Sequence, residues 1–454
     1  MTLEHNRPTT EPPTVGARPG HRADESSGAG AQPSRPALAV FALASGTAVA
    51  NVYLAQPLLA TLGAEFGIGE QAVGGIVTAT QIGYGLGLFL LVPLADLLPK
   101  RALVSAQSLL LAGALLVFAT AANTPVLLGA AATVGFLAVV AQSLVAYAAA
   151  LTGPGDRGRI VGRVTSGIVI GILLARTISG TIADVAGWRA VYFTSAAVTL
   201  LLVFAMRRTL PYVPAPTGPM PRRDADDDLG VGGEHPDSAP RYPALLRSTI
   251  TLFATDPLLR TRGLLALLIF AAFSTLWSTL ALLLSAAPFT LSHTVIGAFG
   301  LAGVAGAAAA TPAGRLFDRG HGRRVTGLAL SLLVASWPLL ALTPKSLVAL
   351  VIGIIALDAA IQAVHVTNQS MIYSHRPDAG SRVIGGYMIF YSIGSAAGAV
   401  AATAVYAAFG WTAVCLLGAV FSLTALGVWW RADTVSHADA APPMDAPACP
   451  AACP

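Results

Sequence analysis

Charged residues are scarce in this chain of 454 residues. Asp, Glu, Lys and Arg make up only 11% of it, whereas a soluble globular domain carries about 25%. So little charge cannot cover a water-facing surface, and the 55% hydrophobic content and mean hydropathy of +0.69 indicate lipid as the solvent for most of the chain. The net charge of +5 is small and spread out, so no nucleic-acid partner is expected.

Cysteine and nucleotide-binding motifs are also lacking. The three cysteines are Cys415, in an apolar run, and Cys449 and Cys453, in the terminal PACPAACP. They predict neither a disulfide framework nor a zinc site, and the terminal CxxxC is read as a plain tail, with metal or lipid attachment as the alternative. The chain has no G-x-x-x-x-G-K-[ST] sequence and no nucleophile pair. We therefore expect no cofactor, no ATP-driven step and no enzymatic activity.

Twelve apolar segments are each long enough to cross the hydrocarbon core. Six precede a polar stretch and six follow it, at 37–60, 73–95, 102–121, 125–151, 160–183, 188–206, 263–288, 294–313, 324–343, 346–373, 382–408 and 411–430. The predicted domains are two six-helix bundles, 37–206 and 263–430, joined by a linker at 207–262 and flanked by disordered tails at 1–36 and 431–454. Within the linker, LLRSTITLFAT at 245–255 predicts a short helix on the membrane surface.

Basic residues alternate between the predicted connections. Only Arg189 and Lys345 lie in odd-numbered connections, and the even-numbered ones hold Lys100, Arg101, Arg157, Arg159, Arg163, Arg207, Arg208, Arg315, Arg319, Arg323, Arg324, Arg376 and Arg382. Since positive residues stay on the cytoplasmic side, both termini and the linker are predicted to be cytoplasmic, in a multi-pass protein of the inner (plasma) membrane.

The two halves repeat each other. GRIVG at 158–162 matches SRVIG at 381–385, and GWRAV at 187–191 matches GWTAV at 410–414, both offset by 223 residues. Asp96 in VPLADLLPKR and Asp318 in GRLFDRGHGRR are offset by 222. Internal repeats with a substrate site at their interface are typical of secondary transporters.

The aspartate followed by basic residues between spans two and three, together with the six-plus-six plan, resembles the major facilitator superfamily. The family pattern there is Gly-x-Leu-Ala-Asp-Arg-x-Gly-Arg-Arg. This resemblance implies an all-α membrane fold of twelve transmembrane helices in two pseudo-symmetric bundles. It also implies charge pairs that hold the cytoplasmic side shut, in the loop between spans two and three and in its copy between spans eight and nine. The alternative is a generic basic loop. The candidate gating residues are Asp96, Lys100, Arg101, Asp318, Arg319, Arg323 and Arg324.

The fifth span is similar to the antiporter pattern of that superfamily, Gly-x8-Gly-x3-Gly-Pro-x2-Gly-Gly. Gly162, Gly171, Ala175, Ser179 and Gly180 hold its glycine positions, and small residues let helices approach closely. Arg176 occupies the position at which this antiporter pattern has its proline. NVYLAQPLL at 51–59 and TATQIGYGLGL at 78–88 extend the resemblance to bacterial drug or sugar efflux permeases, although the arginine of span four is Val139 here.

Away from the span ends, three ionisable residues lie clearly within the predicted spans, where each costs on the order of 3 kcal/mol to place. Asp358, near the midplane, is the candidate proton carrier, with a structural aspartate as the alternative. His365 is a candidate relay or a packing histidine. Arg176 either faces the cavity, paired with Asp358 or an anionic substrate group, or snorkels to the outer water.

Other polar and aromatic residues of the spans predict an amphipathic cavity for a small organic solute. Asp358, Gln362, His365 and Gln369 share one helix face, and the remaining candidates are Asn51, Tyr53, Gln56, Gln81, Tyr84, Gln142, Tyr147, Trp277, Tyr387 and Tyr391. Four tryptophans at span ends are predicted interfacial anchors, namely Trp188, Trp411, Trp429 and Trp430.

Together these features predict a monomeric secondary transporter that moves a small molecule by alternating access, as proton-coupled efflux (antiport). The alternatives are proton-symport uptake and, from a different class, a membrane-embedded enzyme or a sensor that binds without transport. The sequence names no substrate.

Overall fold

Helices form all of the regular secondary structure in the part of the chain that the computed structural model describes, which is residues 34–152, 156–210, 242–375 and 380–438. Most of the predicted tails and the polar part of the linker lie outside these ranges, as do Arg376 and the terminal CxxxC.

The described residues of the first half form eight α-helices. They are α1 (Arg35–Ala50), α2 (Leu59–Phe66), α3 (Glu70–Leu90), α4 (Lys100–Ala119), α5 (Thr124–Ala138), α6 (Val140–Ala150), α7 (Arg157–Ala186) and α8 (Trp188–Thr209). Two short 3₁₀ turns, Gln56–Leu58 and Val92–Asp96, precede α2 and follow α3.

The second half contains the remaining seven. They are α9 (Tyr242–Thr255), α10 (Pro257–Ser285), α11 (His293–Ala307), α12 (Ala310–Leu316), α13 (Gly322–Ala341), α14 (Leu347–His375) and α15 (Gly380–Ala438). Gly410 interrupts α15 with a φ of 73°, a left-handed region that favours glycine, and divides it into segments 380–409 and 411–438.

Nine helical stretches of the described residues are long and apolar enough to cross a membrane. Two of them, His293–Ala341 and Val383–Ala432, are 49 and 50 residues long. A single crossing needs about 20 residues, so each of these is long enough for two. The 16-residue α1 is apolar but short. The count of twelve crossings stays a prediction.

The first predicted span, 37–60, is not one continuous helix. Helix α1 ends at Ala50, and residues 51–55 form turns before α2. Asn51 closes the helix, because its side-chain amide donates to Thr47 O at 2.9 Å. Pro57 has no N–H to donate and disfavours a helical residue before it. This break was not predicted because the sequence of residues 37–60 is predominantly apolar.

Other boundaries also differ from the prediction. The fourth predicted span is divided at Val139 into α5 and α6. The last helix continues to Ala438, beyond the predicted end at 430. The linker is shorter than 207–262, because α8 ends at Thr209 and α10 begins at Pro257. The predicted linker helix at 245–255 is present as α9.

The same helix pairings occur in both halves. In the first, α1 packs against α7, α3 against α5, and α4 against α8. In the second, α10 and α13 pack against α15, and α11 packs against α14. The halves meet where α3 packs on α15 and α7 packs on α11.

Small residues allow the backbones to approach at these crossings. A Cβ on Gly171 would lie 2.2 Å from Gly46 O in α1, and one on Gly180 would lie 2.1 Å from His293 O in α11. Helix α7 is therefore held between α1 on one side and α11 on the other. This double contact directs its central residues into the interior of the protein.

Helix α9 joins the two halves along the chain. The Tyr242 hydroxyl donates to Leu90 O at the end of α3, at 2.7 Å. At its other end, Phe253 packs on Phe390 of α15, with ring centroids 5.4 Å apart. Asp256 then caps α10, because its carboxylate accepts from the N–H groups of Leu258 and Leu259.

Candidate functional site

Arg176 lies in the middle of the bundle and is 2% exposed. Its Nε donates to Gln56 Oε1 at 2.7 Å. The guanidinium carbon lies 4.0 Å from the ring centroid of Trp277, 5.1 Å from that of Tyr53 and 5.4 Å from that of Phe273. Three aromatic faces and one amide therefore enclose the charge, and it does not reach outward to water as the snorkelling alternative required.

Asp358 of α14 is the opposite charge in this region and is 5% exposed. It interacts electrostatically with Arg176, but within the described residues the two side chains make no direct ion pair. The indole N–H of Trp277 faces the Asp358 carboxylate without reaching hydrogen-bond geometry. Three buried polar atoms therefore lie in this region without a hydrogen-bond partner, namely Arg176 Nη2, Trp277 Nε1 and Asp358 Oδ1.

A glycine face on α11 makes room for both charges. A Cβ on Gly303 would lie 2.3 Å from Asp358 Oδ2, and one on Gly306 would lie 2.7 Å from Asp358 Cβ. A Cβ on Gly300 would lie 3.3 Å from Arg176 Cβ. The two charged residues thus flank α11 from α7 and α14, at a contact between the halves.

Tyrosine hydroxyls continue the polar region away from Arg176. Tyr53 and Tyr391 share a hydrogen bond that connects the turn after α1 to α15. Tyr84 packs edge-on against Tyr391, with centroids 6.2 Å apart, and its hydroxyl interacts with Gln142. Gln81 interacts with the Tyr391 hydroxyl. Seven predicted cavity residues therefore lie close to Arg176 or to this tyrosine pair, namely Tyr53, Gln56, Gln81, Tyr84, Gln142, Trp277 and Tyr391.

His365 belongs to a separate cluster. Its Nδ1 lies 2.9 Å from the Tyr387 hydroxyl, and its Nε2 lies 3.3 Å from Gln369 Nε2. Seven residues of helix separate it from Asp358, about 10 Å along the axis. Gln362, His365 and Gln369 are partly exposed along this face of α14. Sequence spacing placed them on one face with Asp358, and only Asp358 lies beside Arg176.

Two predicted cavity residues pack elsewhere. The Asn51 side chain accepts from Ser195 Oγ of α8 at 2.5 Å, as well as donating to Thr47. Tyr147 is fully buried against Phe41, with ring centroids 5.2 Å apart. Both therefore connect helices of the first half, and neither reaches Arg176.

Two of the four predicted tryptophan anchors are wrong. Trp188 is 5% exposed, packs against Phe66 and donates to Glu65. Trp411 is 6% exposed and donates to Leu340 O at 2.8 Å. Their indole N–H groups are satisfied inside the protein, whereas Trp430 is 62% exposed. Trp429 is partly buried and packs on α13, where a Cβ on Gly327 would meet its ring.

Two of the predicted gating residues bind backbone carbonyl groups. Lys100 donates to Ala95 O at 2.7 Å, and Arg101 donates to Arg207 O of α8. The side chain of Asp96 lies outside the described residues. Asp318, Arg319 and Arg324 are exposed, and Arg323 is partly exposed. Of the three glycines predicted to pack helices, Gly162 has open space around it, unlike Gly171 and Gly180.

Sequence reasoning missed a polar cluster where α7 ends and α11 begins. Asp184 of α7 accepts from His293 Nδ1 at 2.6 Å, and His293 Nε2 lies 2.6 Å from Thr61 Oγ1 of α2. It also missed Phe273 beside Arg176. No local pattern could reveal these contacts, since their partners are more than 90 residues apart. The three-residue spacing of the glycines in α11 is visible in the sequence, but it does not indicate that Arg176 and Asp358 pack against them.

A cavity of about 420 Å³ lies between α3, α9 and α15. It is almost wholly apolar, with Gln81, Thr249 and Ser392 as its polar lining. A second, much smaller cavity of about 10 Å³ lies beside Gln56, Arg176 and Trp277. The space next to Arg176 is therefore sufficient for about one water molecule.

Comparison with known proteins gives consistent results. The family model described as Major Facilitator Superfamily matches residues 41–285 and 262–451. The uncharacterized transporter YgaY of Escherichia coli O157:H7 is 43% identical over 397 residues, which cover 87% of this chain and 95% of the relative. The probable transporter SCO4007 of Streptomyces coelicolor is 30% identical over 433 residues, 95% of each chain.

Among solved structures, the fold is similar to that of a bacterial homolog of the human lysosomal transporter Spinster, in an inward-facing and unoccupied conformation. The TM-score is 0.68 at 13% identity, over 90% of this chain and 98% of that one. The family match and the relatives confirm the predicted resemblance to the major facilitator superfamily, whereas the likeness to antiporters and efflux permeases stays a prediction. The chain belongs to the Major Facilitator Superfamily, and it is a multi-pass membrane transporter rather than an enzyme.

Proposed function

We propose that this transporter exports a small organic solute in exchange for protons, by alternating access. One observation carries the proposal. Arg176 and Asp358 are buried opposite charges on α7 and α14, on either side of a contact between the halves, and each keeps a buried atom without a partner. Such an arrangement is expensive unless something binds there in another state of the cycle.

The two halves, 37–206 and 263–430, would rock about this site. The halves are in close contact at the end where α7 meets α11. Gly180 lies against the backbone of α11, and the Thr177 hydroxyl donates to Gly297 O at 2.9 Å. Towards the other end, Gln362 and Gln369 are partly exposed. With both termini cytoplasmic, this state would face the inside of the cell. We expect a monomer in the inner membrane.

Asp358 would carry the proton. As a carboxylate it attracts Arg176 across the halves, and protonation removes that attraction, so proton binding biases the rocking equilibrium. His365, with Tyr387 and Gln369, would relay protons between Asp358 and the cytoplasmic side. Lys100, Arg101 and the basic residues around Asp318 would close that side in the opposite state.

Proteoliposomes with an imposed pH gradient test the proposal. A pH-sensitive dye on one side reports proton movement as candidate solutes are added singly to the other. Solute-dependent proton flux in the opposite direction to the solute is expected, and its loss in Asp358→Asn. Asp156→Asn, which removes an exposed carboxylate paired with Arg159, is the matched control.

Flux of proton and solute in the same direction would favour uptake by symport instead. Coupled flux that survives in Asp358→Asn would exclude Asp358 as the proton carrier. Solute binding without any flux would favour the sensor alternative.

A further inference from the structure

The atoms without partners near Arg176 have complementary chemistry. Arg176 Nη2 is a cationic donor and Asp358 Oδ1 an anionic acceptor, on side chains that are 2% and 5% exposed. Leaving such groups unpaired is unfavourable, and more so when they are charged. Direct pairing between them would remove this cost, but the surroundings hold them apart.

Each charge is fixed by its own neighbours. Arg176 is held by the bond from Nε to Gln56 and by stacking on Trp277. Asp358 is held against Gly303 and Gly306 of α11. Trp277 lies between them, with its ring under the guanidinium and its N–H towards the carboxylate. The site therefore presents a separated positive and negative charge with aromatic surface beside them.

The site carries one positive and one negative charge. While Asp358 is ionised, a ligand with a single charge would satisfy one of them and leave the other buried and unpaired, which is strongly unfavourable. A ligand with one charge of each sign satisfies both. The rings of Tyr53 and Phe273 beside Arg176 add apolar surface for the rest of such a molecule.

We propose that the transported solute is a small zwitterion of the amino-acid type. Its carboxylate binds Arg176 Nη2, its ammonium group binds Asp358 Oδ1, and its apolar body lies against the rings of Tyr53 and Phe273. This inference rests on the proposed function. Since the space beside Arg176 is about 10 Å³, the solute binds only when the halves separate around α11.

Binding by the purified full-length protein tests the proposal. The probes are alanine, leucine and phenylalanine, each compared with its N-acetyl derivative, which lacks the ammonium group, and its methyl ester, which lacks the carboxylate. Thermal stabilisation and calorimetry measure binding. At least one zwitterion should bind about tenfold or more tightly than both of its derivatives, the value of one charge-assisted hydrogen bond.

A variant of either charged residue should lose one of these two preferences. In Asp358→Asn the zwitterion should lose its advantage over the N-acetyl derivative, and in Arg176→Gln its advantage over the methyl ester. Asp358→Glu and Arg176→Lys keep the charges and should retain part of the preference. Asp156→Asn and Lys345→Gln, which change exposed charges, should behave as wild type.

Two wild-type results would overturn the proposal without any variant: failure of all three zwitterions to bind, or the finding that every zwitterion that binds is matched in affinity by one of its derivatives. Failure of the proposed transport function would give a different experimental result from failure of this inference. Zwitterion binding without proton-coupled flux would refute the transport proposal and leave this inference standing. Proton-coupled flux of a solute with a single charge would do the reverse.

Discussion

Asp184 at the end of α7 is hydrogen-bonded to both the backbone N–H and the imidazole of His293 at the start of α11. The Asp184 carboxylate accepts from the backbone N–H groups of His293 and Thr294, at 3.1 and 2.7 Å, and from His293 Nδ1 at 2.6 Å. The first N–H groups of a helix have no partner within it, so a carboxylate there is stabilising. Because His293 also contacts Thr61, one imidazole connects α2, α7 and α11.

Loss of this carboxylate should open the α7–α11 end. In Asp184→Ala, the backbone N–H groups of His293 and Thr294 lose their acceptor, and their hydrogen exchange should accelerate by about tenfold. Exchange followed by mass spectrometry measures it. Glu65→Ala is the control, because Glu65 bonds Trp188 and Arg189 within the first half. Unchanged exchange in Asp184→Ala would mean that other contacts hold this end.

The glycine at 303 should be needed for the position of Asp358. Gly303→Ala would place a Cβ 2.3 Å from Asp358 Oδ2, so the carboxylate must move. Coupled transport should fall by about tenfold or more, which corresponds to only about 1.4 kcal/mol. Gly113→Ala in α4, where no atom lies within 4 Å, should leave transport unchanged.

Stability measurements can separate this clash from general misfolding. The thermal destabilisation caused by Gly303→Ala should be smaller in an Asp358→Ala background, where the clashing oxygen is gone. Equal destabilisation in both backgrounds would show that the carboxylate is not the atom displaced.

The Tyr53–Tyr391 hydrogen bond should contribute measurably to holding α15 against the turn after α1. A double-mutant cycle with Tyr53→Phe and Tyr391→Phe should give a coupling free energy of about 0.5–1.5 kcal/mol in unfolding. Tyr192→Phe is the matched control, since the Tyr192 hydroxyl is buried without a partner and its removal should cost nothing. Additive effects of the two variants would argue against the bond.

Stability should depend on pH through Asp256. Burial acts to raise the pKa of this carboxyl, but hydrogen bonds from Leu259 N–H and His375 outweigh it, and the folded-state pKa lies below the usual 3.8. The stabilisation is therefore complete above pH 3.8 and is lost as the pH falls through the lower folded value.

Asp256→Asn should remove this dependence while keeping the helix cap, because Asn caps about as well as Asp. The melting temperature of wild type should fall more steeply than that of Asp256→Asn as the pH is lowered from 5 towards the acid limit at which the protein stays soluble. Parallel curves would exclude Asp256 as the titrating group.

Sequence reasoning reached the family and two central charges because both leave local signals. A charge in an apolar helix is conspicuous, so Arg176 and Asp358 could be named from hydropathy alone. The break at 51–55 could not, because hydropathy reports composition and not backbone direction. Trp188 was misassigned for another reason: its partner Glu65 lies 123 residues away. Asn51 and Tyr147 were placed in the cavity by residue type, while their neighbours Ser195 and Phe41 decide which way they point.

The Tyr242–Leu90 bond has a mechanical consequence. Tyr242 begins the helix that leads into α10, and Leu90 ends α3, so this hydroxyl fastens the connecting segment to the opposite half. A change in the distance between the halves at this end would act on this single hydrogen bond and on the Phe253–Phe390 ring contact beyond it. Any movement of the two halves relative to each other must therefore either carry α9 along with α3 or break the Tyr242–Leu90 hydrogen bond.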